Sequence, residues 1–212
     1  MEKNKRLKFL IALKEHISNN KKEYIIVSLI FVIGVFLGVF FVNNMQEIKI
    51  TEVNSYFSDS INKLKEVDNL DTFTLLKESI IEKILLATAI WFFGTTVIGI
   101  PIVFGIVLYR GFCLGYTIAI SVSSLEITKG LIFIFSSLFL QNILFIPAIL
   151  ALAVSGFKLY KSIIKNKDKE NIKVEILRHT IFSFVMLIIL IFSCVIETFI
   201  STNILKLVIK YF

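Results

Sequence analysis

"GTTVIGIPIVFGIVLYRGFCLGY", residues 94–116, is apolar enough to lie in a lipid bilayer, yet it holds five glycines, a proline and an arginine. Glycine lets helix backbones approach one another closely. Proline removes a backbone donor and kinks a helix interior. An arginine deep in hydrocarbon is costly, whereas one at the interface can extend its head to water. Arg110 therefore reads as the cytoplasmic turn of a tight hairpin. On this reading residues 84–109 form a span kinked at Pro101, and residues 111–129 form the return. Gly94, Gly99 and Gly105 on one arm and Gly111 and Gly115 on the other let the two arms pack.

The rest of the chain supports a membrane setting. Of its 212 residues 56% are hydrophobic and only 18% charged, and 21 are phenylalanine. Mean hydropathy is +0.83. A soluble domain carries about a quarter of its residues as charges. The apolar residues here fall in runs of roughly 20, enough to cross a core of ~30 Å as a helix. The expected fold is all-α: a polytopic membrane protein of one membrane domain, residues 1–212. Five spans are expected, at 24–42, 84–109, 111–129, 130–154 and 180–200. The first run is too long for a signal-peptide core, and no small-x-small cleavage site follows it, so it reads as an uncleaved anchor.

Charge placement sets the expected orientation. Residues 1–23 and 157–179 are basic and are assigned to the cytoplasm. Residues 43–83 carry eight acids against five bases and are assigned outside. With the N-terminus in and the C-terminus out, fifteen Lys and Arg fall inside and eight outside, in keeping with the positive-inside rule. The net charge of +7 is explained by this partition, and nucleic acid is not an expected partner. The N-terminal tail, with Leu7, Leu10, Ile11 and Ile17 at helical spacing, is either a surface helix or a solvated basic tail. The outer segment contains no proline or glycine, and Val53, Phe57, Ile61 and Leu64 share one helical face. An extracytoplasmic helical segment between the first two spans is expected, with that face as its docking surface.

No catalytic or cofactor pattern emerges. His16 and His179 lie far apart in basic segments, and H-E-x-x-H and P-loop motifs are absent. Cys113 and Cys194 sit in apolar runs without C-x-x-C spacing and read as small buried residues, with no metal expected. The carboxylates of residues 43–83 lack a fold that could hold two of them across a cleft. The chain is expected to be neither an enzyme nor a cofactor protein. Glu197, near the outer end of the last span, reads as an interfacial carboxylate or an ion site, and Gln141 and Asn142 as helix-to-helix hydrogen bonders. Pro147 stands in the same span as these two amides. The G-x-x-x-G pairs Gly34/Gly38 and Gly111/Gly115 serve either a homo-oligomer or packing within one subunit.

The opening stretch, together with "LFLQNILFIPAILALAVSG" at 138–156 and "CVIETFIS" at 194–201, resembles the stage II sporulation protein M family. The resemblance covers nearly the whole chain, from basic N-terminus and G-x-x-x-G anchor to the acidic residue of the last span. It implies a multi-pass protein of the mother-cell membrane at the sporulation septum. There it would act in engulfment as a non-enzymatic scaffold. Its implied partners, besides the lipid bilayer, are single-pass wall hydrolases, a lytic transglycosylase and an amidase/endopeptidase, which it anchors and localises. More distant relatives resemble permease subunits beside ABC-type ATPases. That gives a second expectation, a transport or mechanotransmission subunit whose basic 157–179 segment meets a cytoplasmic ATPase. A passive channel is disfavoured because no span carries a polar stripe.

Overall fold

The structure is a computed structural model that describes residues 17–66, 72–125, 127–165, 169–201 and 203–204. The described residues form helices α1 (Lys21–Asn43), α2 (Glu47–Glu66), α3 (Thr72–Gly94), α4 (Ile100–Leu125), α5 (Ile127–Ile134), α6 (Leu140–Lys165) and α7 (Lys169–Ile196). A π-helical turn, Phe135–Phe139, joins α5 to α6, and a second, Glu197–Ser201, ends α7. The surface-helix expectation for residues 1–16, with His16, lies outside the described residues.

Among the described residues, four segments are long and apolar enough to cross a membrane: Lys21–Asn43, Ile100–Leu125, Gln141–Lys165 and Ile172–Ile200. Helix α3 has the length, 23 residues, but carries Lys77, Glu78, Glu82 and Lys83. It joins hydrophobic Ala87 and Ile90 to the same core as the other four.

The hairpin expected at Arg110 is not there. Helix α4 runs unbroken through Arg110, and the turn falls at residues 95–99 instead. Threonine chemistry explains the turn. The Thr95 hydroxyl donates to the Phe92 carbonyl at 2.7 Å, and the Thr96 hydroxyl to that of Phe93 at 3.0 Å. These bonds satisfy carbonyls that the end of α3 leaves open. Thr96 Oγ1 then accepts the Gly99 amide at 3.1 Å. A Cβ on Gly99 would strike the Phe93 carbonyl oxygen, so the turn is too tight for a side chain there. Pro101 occupies the first turn of α4, where no intrahelical donor is needed, and so produces no mid-span kink. The apolar run 84–109 therefore joins the end of α3 to the start of α4. Likewise residues 157–179 are not a loop, because α6 continues to Lys165 and α7 begins at Lys169.

Helices α1 and α4 pack parallel through their glycines. A Cβ on Gly34 would strike the Leu108 carbonyl oxygen, and one on Gly38 that of Phe112. In return, Gly111 and Gly115 face the carbonyls of Phe31 and Val35. Such close approach permits Cα–H···O contacts between helices. Phe41 closes the interface with an edge-to-face contact on Phe112 at 5.7 Å. The two G-x-x-x-G motifs are thus used against each other within one chain. Gly105 departs from expectation, since nothing lies within 4 Å of a Cβ placed there.

Helix α6 is the central one. Ile149, Leu152, Ala153, Val154 and Leu159 are buried along it, and Val107, Ile90 and Leu190 join that core from α4, α3 and α7. Pro147 lies within α6 and cannot donate to the preceding turn. The Asn142 side-chain amide bonds back along the chain, donating to the Leu138 carbonyl of the preceding π turn at 2.7 Å. Across to α7, the Ser193 hydroxyl donates to the Gln141 carbonyl at 3.2 Å.

Candidate functional site: a charge cluster inside the helix bundle

Four charged side chains converge between α3, α4, α6 and the end of α7. Arg110 Nη2 lies 2.7 Å from Glu82 Oε1. Lys83 Nζ lies 3.4 Å from Glu197 Oε2 and 3.7 Å from Glu82 Oε2. The Ser79 hydroxyl donates to Glu197 Oε2 at 2.8 Å. The Phe145 ring receives both cations on its face, Lys83 Nζ at 4.9 Å and Arg110 Cζ at 5.6 Å from the centroid. Two acids and two bases leave the cluster neutral. That is the condition under which charges persist in low dielectric, since an unpaired one costs several kcal/mol.

Local sequence explains the convergence. Ser79, Lys83 and Glu82 follow one another around a single turn and a half of α3. Lys83 points inward with Ala87, Ile90 and Gly94, and is itself buried. Glu197 opens the π turn that widens the last turn of α7.

The depth of the cluster follows from the glycine interface. Leu108 and Phe112 bracket Gly34, so Arg110 stands level with the middle of α1. It lies about 15 Å along α4 from Ile100, at ~1.5 Å per residue. Because α1 is long and apolar enough to cross, Arg110 is placed far from either end of that crossing. An ionisable group at such depth is a functional site by default. Glu82 differs from its partners in that its side chain is 52% exposed, against 21% for Arg110 and 4% for Lys83.

A second polar node lies where α3 ends. His179, expected in a cytoplasmic loop, is buried. Its Nδ1 lies 2.9 Å from the Ser155 hydroxyl and its Nε2 3.4 Å from the Trp91 carbonyl oxygen. Gly94 and Gly156 touch beside it; a Cβ on Gly94 would lie 3.2 Å from the Gly156 Cα and 3.1 Å from the imidazole. The Trp91 indole donates to Thr180 at 3.2 Å. Lys161 of α6 pairs with Glu23 of α1 at 2.8 Å.

The docking face expected on α2 is partly used by the chain itself. Phe57 packs edge-to-face on Phe133 at 5.4 Å, and Val53 is half-buried. Asn54 bonds Ser123 and Ser124 at the end of α4. Ile61 and Leu64 continue the helix, but their side chains lie outside the described residues. Cys113 and Cys194 are both free thiols. Among the described residues, no group of histidine, cysteine and carboxylates is placed to hold a metal ion.

Sequence reading missed Ser79, Glu82 and Lys83 because it assigned residues 43–83 wholesale to the outside. The signal was present. No proline or glycine separates Glu82 and Lys83 from the apolar run that follows them. Two acids and two bases at the edges of apolar runs also invite pairing.

Fold and site together define a multi-pass α-helical membrane protein with an ion cluster inside its bundle. The chain belongs to the stage II sporulation protein M family, whose family model matches residues 27–202. No curated protein and no solved structure matches it.

Proposed function

We propose that this sporulation-family membrane protein is a non-enzymatic scaffold that holds peptidoglycan hydrolases at the engulfment septum. In this reading α3 is a fifth crossing. The N-terminus and the 95–99 turn face the cytoplasm, and α2 lies outside. The observation that carries the reading is the fixed attitude of α2. Its inner face is pinned by Phe57 and Asn54. Ile48, Glu52 and Tyr56, one helical turn apart, form an exposed stripe in which Ile48 is 83% and Tyr56 66% exposed. A helix tied to the bundle on one side and solvent-accessible on the other suits recruitment of an extracytoplasmic partner, and an accessible aromatic is a usual anchor. The docking surface is therefore moved from the Val53/Phe57 face to the Ile48/Tyr56 face.

The test is crosslinking pull-down from sporulating cells. A scaffold recovers wall hydrolases, and Ile48→Asp with Tyr56→Asp abolishes the recovery without lowering the amount of protein. The transport reading is favoured by one observation, the charge cluster at mid-bundle, since such groups mark conduction and coupling sites. It requires recovery of an ATPase, sensitive to Lys165→Glu. An ATPase without a hydrolase would sink the scaffold reading.

A further inference from the structure

Helices α3 and α4 are joined at mid-length by the Glu82–Arg110 pair. On α3, Glu78, Glu82 and Leu85 share an outward face and are exposed, Leu85 to 65%. On α4, Ile102, Gly105 and Tyr109 share one face. All three are exposed, and the space over Gly105 is open. The bundle's outer surface thus has a seam holding a half-bare carboxylate and a phenol at mid-depth, with a notch without a side chain about 6 Å further along α4 toward the 95–99 turn, at ~1.5 Å per residue.

Hydrocarbon does not cover such a seam cheaply. A carboxylate left in lipid at mid-depth is expensive even when paired on one side, and ionisable residues of spans normally face protein or water. Notches of this kind are where membrane helices meet, because a bare glycine permits close backbone approach. A second copy of this chain fits poorly. A two-fold contact is self-complementary, so it would bring a second acidic face, with its own Glu82 and Glu78, against this one. Like charges at that depth repel with little screening.

We infer that the α3–α4 seam is the binding site for one transmembrane helix of a different protein. That helix carries a basic or amide side chain opposite Glu82 and lies closely over Gly105. The inference deepens the scaffold reading by giving it an intramembrane contact separate from α2. The charge sign is what commits the seam to such a partner: the exposed groups of α3 here are carboxylates, while Arg110 turns inward to Phe145.

The experiment places a benzophenone amino acid at Leu85 or Ile102 of the full-length protein in native membranes. Phe36, exposed on α1, serves as control. After irradiation the adduct peptide is sequenced. The expected adduct is a transmembrane segment of another chain with Lys, Arg, His, Asn or Gln within one helical turn of the crosslink, absent at Phe36. Gly105→Leu sets its Cβ in open space on an exposed face, so accumulation should be unchanged while adduct yield falls about tenfold, as loss of a close helix contact implies. Glu82→Lys should lower the yield by a similar factor. Adducts to lipid alone, to a second copy, or to a segment with no such residue overturn the inference, as does full yield in Gly105→Leu. The two readings fail separately. Hydrolases captured through α2 with only lipid adducts at the seam remove the inference and leave the scaffold. A qualifying helix from a protein other than a wall hydrolase keeps the inference and counts against the hydrolase scaffold.

Discussion

Arg110 of α4 and Glu82 of α3 meet at 2.7 Å, level with the middle of α1 and under the ring of Phe145. The pair is the outer half of a four-charge arrangement whose inner half is Lys83 with Glu197. Each charge has an opposite partner, so the bundle tolerates them only as a set.

Removing one member should therefore cost more than removing two. Lys83→Met removes the ammonium that pairs with Glu197 inside the bundle. It should destabilise the protein by about 3 kcal/mol, the scale for orphaning one partner of a buried pair. Lys83→Met combined with Glu197→Gln should recover more than half of that loss, a coupling typical of contacting residues. Unfolding of the purified protein in lipid nanodiscs measures both. Equal losses in single and double variants would refute the coupling.

The same substitution at two glycines should separate packing from open surface. Gly34→Val drives a side chain into the Leu108 backbone and should cost at least ~2 kcal/mol, since overpacking forces helices apart. Gly105→Val meets nothing and should stay within about 0.5 kcal/mol of the parent. The comparison is read from the same unfolding assay, and the two values should not overlap.

His179 ties α7 to both α6 and α3 through Ser155 and the Trp91 carbonyl. His179→Ala leaves polar groups of both neighbours without this partner in a buried site and should cost about 1–3 kcal/mol. Ser155→Ala removes one bond only and should cost less. Unfolding in the same nanodisc assay measures both, and a loss in Ser155→Ala as large as that in His179→Ala would contradict the assignment.

Much of the architecture was legible in the chain. The apolar runs and their alternation with basic blocks indicated a membrane bundle, and the two G-x-x-x-G pairs identified surfaces that do pack. Helix ends were less legible, for a physical reason. An arginine near an apolar run looks interfacial when its neutralising partner is unseen, and Glu82 comes from another helix. The true turn, "TTVIG", contains no charge and only one glycine, and depends on threonine hydroxyls bonding the chain three residues away. Hydropathy is blind to both effects. Pro101 misled for a related reason, because proline breaks a helix interior but suits a first turn. The face of Val53 and Phe57 was correctly amphipathic, but periodicity cannot say whether an apolar face meets a partner or the chain's own α5.

The placement of Arg110 inside the bundle, with the turn at residues 95–99 proposed to face the cytoplasm, is tested most directly by single-cysteine labelling. In a background with Cys113→Ala and Cys194→Ala, cysteine is introduced at Ile98, 85% exposed in the turn, or at Tyr109, exposed along α4 beside Arg110. A membrane-impermeant maleimide is applied to intact cells and to inverted membrane vesicles. Ile98→Cys should be labelled in inverted vesicles only, and Tyr109→Cys from neither side. Labelling of Tyr109→Cys in inverted vesicles with Ile98→Cys silent would restore a turn at Arg110 and contradict the account.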